Sequence, residues 1–141
     1  MTVFADSAAV VRLYADEDRA DVVRQVPVLV VSAVARVEVP AALWQKARTG
    51  ALSVEDATIL VAAFVADWRD PDGRFLPVGL RGLVLEQAAS AAALHGLRAY
   101  DAVQLSCALA ARGADPAVDS FLCFDAELRE AAGREGFSLV A

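Results

Sequence analysis

One histidine, one lysine and two cysteines are all that 141 residues hold of the side chains most used as zinc ligands, ammonium ions and thiols. With only His95, Cys107 and Cys123 available, a tetrahedral zinc site lacks ligands. A serine–histidine–acid triad would have to run through His95, which sits between Leu94 and Gly96 and reads as the basic end of a helix before its glycine stop. Both cysteines lie in apolar runs, which predicts buried free thiols in a reducing cytoplasm rather than a disulfide framework. No apolar run approaches the ~20 residues that span a bilayer; the stretch from Ile59 to Ala66 is typical, so no membrane association is expected. The opening Met1-Thr2-Val3-Phe4-Ala5-Asp6 has no basic segment before an apolar one, so a secretory signal is not expected either. Linkers, repeats and low-complexity segments are missing too, and residues 1–141 are read as a single domain. Positive charge is short: the formal net charge is −6. That is the wrong global sign for a polyanion-binding protein, so any affinity for nucleic acid must be local.

What is present is a regular alternation of short β-rich runs and helical stretches. Val3 to Ala5 reads as a strand ending at Asp6, followed by helices at Ser7 to Tyr14 and Asp18 to Gln25. Val28 to Val31 is a continuous apolar run of the kind found in strands buried on both faces. Ser32 is read as the N-cap of a helix to about Arg48, stopped by Gly50. Ser53 opens a helix to about Trp68 with an acid at the third position. Asp70 to Gly73 is a turn and Arg74 to Val78 a strand. Helices follow at Leu83 to Leu94 and at Tyr100 to Arg112, the second stopped by Gly113. Phe121 to Phe124 reads as a strand ending at Asp125, Ala126 to Arg134 as a helix, and Phe137 to Val140 as a short last strand. This order predicts an α/β/α sandwich with a mainly parallel central sheet. In such sheets sites form beyond the carboxyl ends of strands, where Asp6 and Asp125 stand.

Nineteen acidic residues make four carboxylates unremarkable in number; their surroundings single them out. Asp6, Glu38, Asp101 and Asp125 each lie in apolar sequence, where a carboxylate is costly unless paired or metal-bound. Asp6, Asp101 and Asp125 can also serve as helix N-caps, a role compatible with ligation. Glu38 has no cap role in the second turn of its helix, and its alternative is a salt bridge to Arg36 or a more distant arginine. Clustered oxygen ligands without histidine or thiolate select a hard cation, Mg²⁺ or Mn²⁺. The chemistry that follows is metal-assisted attack of water on a phosphate ester. Two other phosphate-handling folds fit poorly. Ala8 stands where the haloacid-dehalogenase type needs a second acid, and the only lysine, Lys46, is on a helix rather than at the late strand end a receiver domain requires.

The four segments resemble those of the PIN domain, in particular the VapC-type toxins of toxin–antitoxin pairs, across essentially the whole chain. Phe4-Ala5-Asp6-Ser7, with Arg12-Leu13-Tyr14 on the following helix, is similar to the family's opening strand and first acid. Val31-Ser32 leading to Glu38 matches the second. Leu97-Arg98-Ala99-Tyr100-Asp101-Ala102 matches the third, and Ser120 to Leu128, containing Asp125, the fourth. The resemblance implies a metal-dependent endoribonuclease whose metal-binding acids are Asp6, Glu38, Asp101 and Asp125, supported by the Ser7 hydroxyl. The alternative is a PIN-fold binding module, catalytically weak or inert, that acts through protein partners. Three features depart from the family pattern: Pro40 inside the Glu38 helix, Gln104 where an aromatic or histidine is frequent, and a longer loop at Ala114 to Val118.

Arginine supplies 12 of the 13 positive side chains. Its planar fork binds phosphate and stacks on bases. Arg12, Arg36 and Arg98 lie within one or two helical turns of the proposed ligands and are the expected RNA-binding rim. The resemblance further implies a cognate VapB-like antitoxin, and a homodimer is expected. The helix from Ser53 to Trp68 carries Leu60, Val61, Phe64, Val65 and Trp68, more apolar surface than one core-facing stripe requires. That surplus suits a partner groove, a dimer contact or the core itself.

Overall fold

The computed structural model describes residues 2–141. Its elements run β1 (Thr2–Ala5), α1 (Ser7–Ala15), α2 (Ala20–Arg24), β2 (Leu29–Ser32), α3 (Ala35–Arg48), α4 (Val54–Arg69), β3 (Phe75–Val78), α5 (Gly82–His95), α6 (Ala99–Ala114), β4 (Val118–Leu122), α7 (Ala126–Arg134) and β5 (Ser138–Leu139). The five strands form one sheet in the order β3-β2-β1-β4-β5, and every neighbouring pair is parallel. The sheet is therefore wholly parallel, beyond the mainly parallel one expected.

Strand alternation sorts the core into two layers, because successive side chains point to opposite faces. Val3, Ala5, Leu29, Val31 and Leu122 face α1, α3 and α4, where they meet Val10, Leu43 and Phe64. Phe4, Val30 and Phe121 face α5, α6 and α7, where they meet Leu105, Ala108 and Leu128. Phe121 lies between Phe4 and Phe137, with ring centroids 5.2 Å and 5.6 Å away. No helix among the described residues is long and apolar enough to cross a membrane.

Several boundaries differ from the sequence reading. Ser32 is not the N-cap of α3. It ends β2 fully buried, its hydroxyl accepts from the Val34 amide and from the Cys107 thiol, and α3 starts three residues later with no side-chain cap. The fourth strand begins at Val118 rather than Phe121, so the segment read as a loop is partly strand; Ser120 is polar but buried, which hid the pattern. Gly113 does not stop α6, which reaches Ala114. The caps at Ser53 and Asp6, and the glycine stop after His95, form as expected. Most of the α4 apolar surplus goes to the core. Phe64 is buried, and Leu60, Val61, Val65 and Trp68 pack against the same layer, leaving Ile59 exposed.

The Phe121 ring carries the α5–α7 layer, so Phe121→Ala should lower unfolding free energy by about 3–5 kcal/mol, the range for truncating a buried aromatic. Leu139→Ala, at the half-exposed edge strand, should cost about 1 kcal/mol or less. Urea denaturation of both variants checks this; equal losses would contradict the layer assignment.

Candidate active site

The strand order reverses direction at β1. The chain moves from β1 outward through β2 to β3, then returns to place β4 on the other side of β1. A crevice opens at such a switch point beyond the carboxyl ends of the strands. Asp6 leaves β1 at this crevice, its amide donating to the Leu122 carbonyl at the end of β4 (3.2 Å). Asp125 follows three residues after β4. The topology therefore places two acids from opposite ends of the chain side by side.

Both of these acids cap helices as well. Asp6 Oδ1 accepts from the Ala9 amide (2.9 Å) at the start of α1, and Asp125 Oδ2 accepts from the Leu128 amide (2.9 Å) at the start of α7. Asp101 does not cap α6. It is the third residue of that helix, whose cap position is Arg98, so the cap explanation for its place in apolar sequence fails. It lies 4.0 Å from the Arg98 guanidinium, a loose pair in which Arg98 is largely exposed. Glu38 sits in the first turn of α3, not the second, and no arginine pairs with it among the described residues. Its Oε1 instead accepts from the Ser7 hydroxyl (2.7 Å) and from Gln104 Nε2 (2.9 Å). Helix α3 continues through Pro40, and Glu38 still faces the residue that follows Asp6.

The electrostatics of the crevice are those of crowded like charge. Asp6 is almost fully buried, and burial pushes its carboxyl up to about 7. The Ala9 hydrogen bond opposes that shift, while the negative charges of Asp101, Glu38 and Asp125 add to it. Asp101 is raised as well, first by burial and then by Asp125, against the pull of Arg98. The other three of the four sequence-predicted acids thus all act on Asp6. Among the described residues, however, no three of them stand close enough to form a ready-made ligand group for one ion.

The donor set suits a hard cation. Every polar group at the crevice is an oxygen or amide donor, and the one nearby thiol, Cys123, is pushed up to about 12 by burial and by Asp6, so it stays protonated. Gln104 was noted in the sequence only as a departure from the family pattern, yet its amide completes the polar group around Glu38 and Ser7. Its Oε1 is buried without a hydrogen-bond partner. Such an orphan costs roughly 1–3 kcal/mol, a cost that a bound water or hydrated ion would relieve.

The expected basic rim is uneven. Arg98 stands free at the mouth beside Asp101. Arg36 is half-buried in the first turn of α3. The Arg12 guanidinium lies 4.0 Å over the Phe124 ring and donates to the Asp18 carbonyl, which ties it to structure.

Solved structures share this architecture. PAE2754 from Pyrobaculum aerophilum superposes with a TM-score of 0.65 at 20% identity, covering 99% of this chain and 84% of that one. VapC20 from Mycobacterium tuberculosis, a sarcin–ricin loop cleaving toxin, gives 0.61 at 16% identity and 96% coverage of each chain. FitAcB from Neisseria gonorrhoeae gives 0.57 at 15% identity, covering 99% and 97%. The chain shares the PIN-like fold of these structures. No family model and no curated protein matches it by sequence.

The raised Asp6 carboxyl makes metal-free stability pH-dependent. A carboxyl raised on folding favours the folded state below its ordinary pKa, and that contribution is lost as pH rises from about 4 through about 7. Asparagine caps a helix as well as aspartate but does not ionise. In EDTA, Asp6→Asn should therefore match the parent near pH 4 and exceed its stability at pH 8, by at most about 4 kcal/mol. Thermal or urea unfolding across that range measures it; a difference that does not change with pH would contradict the burial and crowding of Asp6.

Proposed function

We propose that this chain is a metal-dependent endoribonuclease that acts as the toxin of a VapBC-type toxin–antitoxin pair, with residues 1–141 working as one PIN-type domain in the cytoplasm. The reading is carried by one observation: the charges of Glu38, Asp101 and Asp125 all act on the buried carboxyl of Asp6 at the switch point of a PIN fold. Asp6, Glu38, Asp101 and Asp125 would hold Mg²⁺ or Mn²⁺, and Ser7 would hold Glu38 in place. Held by these acids, such a cation would supply the activation of water and the charge neutralisation that phosphate-ester hydrolysis needs.

The chain's own groups then have distinct roles. Asp6 and Asp125 are fixed by the helix termini they cap, so their carboxylates need little reordering to act. Glu38 is fixed through Oε1, which leaves Oε2 without a hydrogen bond among the described residues. Arg98, largely exposed and beside Asp101, would meet an RNA phosphate, together with Arg36 on α3. The acidic centre also attracts a guanidinium when no cation is bound, which suits a VapB-like antitoxin that inserts an arginine. A homodimer belongs to the same proposal.

A second reading, an inert PIN-fold module that works only through protein partners, draws on the absence of a ready-made three-acid group among the described residues. The two readings separate in one assay. Single-stranded RNA incubated with the protein and Mg²⁺ or Mn²⁺ should be cleaved, and EDTA should stop the cleavage. Asp6→Asn and Asp101→Asn should each lower the rate by about 100-fold or more, in line with losing a charge that stabilises the transition state. Cleavage that survives both substitutions would rule out this mechanism, and no cleavage with any divalent cation would favour the inert module.

A further inference from the structure

Gln104 is the sixth residue of α6 and is buried inside the molecule. Its carboxamide closes a three-membered ring of hydrogen bonds. Nε2 donates to Ser7 Oγ (2.8 Å) and to Glu38 Oε1 (2.9 Å), and Ser7 Oγ donates to the same Glu38 oxygen (2.7 Å). Three helices, α1, α3 and α6, are joined at this one point. The orientation of the amide is fixed by chemistry. An ionised carboxylate only accepts, so the nitrogen must face Glu38, and a flipped amide would set two acceptors against each other. Both Nε2 hydrogens are thereby used. Oε1 is left buried and without a hydrogen-bond partner among the described residues.

We propose that Gln104 is the positioning residue of the cation site, a role that rests on the metal-dependent reading above. It locks Glu38 through one oxygen and leaves the other without a hydrogen bond among the described residues, available to the cation site. Residues that orient metal-binding carboxylates typically tune affinity by 10–100-fold.

The test is Mn²⁺ binding to the EDTA-stripped full chain, followed by calorimetry or by the free-Mn²⁺ electron paramagnetic signal. Gln104→Met keeps the volume but removes the donors and the acceptor. It should weaken Mn²⁺ binding by about 10-fold or more while circular dichroism stays that of the parent. Gln104→His, which retains one ring N–H donor, should recover part of the loss. In RNA cleavage at saturating Mn²⁺, the Met variant should lower kcat more than it raises KM. Parent-like Mn²⁺ affinity in a folded Gln104→Met overturns the role of Gln104 and leaves the nuclease reading intact. A parent chain that binds no Mn²⁺ overturns both. Should Gln104→Met not fold, the side-chain amide resonances of Gln104 in the ¹⁵N-labelled parent decide the question. They should move on Mg²⁺ addition, and their indifference to saturating Mg²⁺ overturns the proposal.

Discussion

Repulsion among four carboxylates in one partly buried crevice is the constraint around which the molecule is arranged. A carboxylate as buried as Asp6 is expensive to ionise, and three further acids nearby raise that cost. The fold bears it with devices that are otherwise ordinary. The first turn of α1 donates a backbone N–H to Asp6, and α7 does the same for Asp125. Glu38 is held by a hydroxyl and an amide rather than by a cation. None of these partners carries a full positive charge, so the negative potential of the crevice is left for something from outside the chain to neutralise. The parallel sheet is what makes the crowding possible. Only the adjacency of β1 and β4 brings Asp6 next to a residue 119 positions away, and α3 and α6 deliver the other two acids from flanking layers.

The chain carries twelve arginines within a net charge of −6, and three of them are occupied inside the fold. Arg12 covers the Phe124 ring. Arg112 covers Phe137 and donates to the Glu135 carbonyl. Arg129 donates to the Cys123 carbonyl at the end of β4. These guanidinium groups stack and tie chain ends together, work that suits a planar ion with several donors. Others, Arg98 among them, are exposed, but the net charge of −6 sets them in an acidic surface. Affinity for RNA would therefore have to come from the crevice and Arg98 rather than from a broad electrostatic field, and it should show a shallow dependence on salt.

Much of this was legible in the sequence because the signals were local. Asp6 and Asp125 end apolar runs and begin helices, and the strand and cap patterns agree there. The α/β alternation was equally clear, since the central strands β1, β2 and β4 are short, mostly buried runs. The misreadings share a cause: tertiary burial of a polar residue has no local signature. Ser32 looked like a cap because serine favours caps, but its hydroxyl is spent inside, on the Val34 amide and the Cys107 thiol. Ser120 broke the apolar run that would have extended β4 backward. Asp101 reads locally as a helix cap, but the cap position is Arg98, three residues earlier. Gln104 was visible as a polar residue between Val103 and Leu105, on a helix face otherwise apolar. Its partners lie 97 and 66 residues away, and only the folded chain brings them together.

The central claim is that the four acids form one coupled site whose charge a divalent cation relieves. The Asp6 carboxyl reports this directly through its ¹³Cγ resonance, titrated by nuclear magnetic resonance with and without Mg²⁺. The account predicts a midpoint near 7 in EDTA, falling toward or below the ordinary carboxylate range of about 4 when Mg²⁺ is added. An Asp6 that titrates near 4 in EDTA and is unmoved by Mg²⁺ would contradict it.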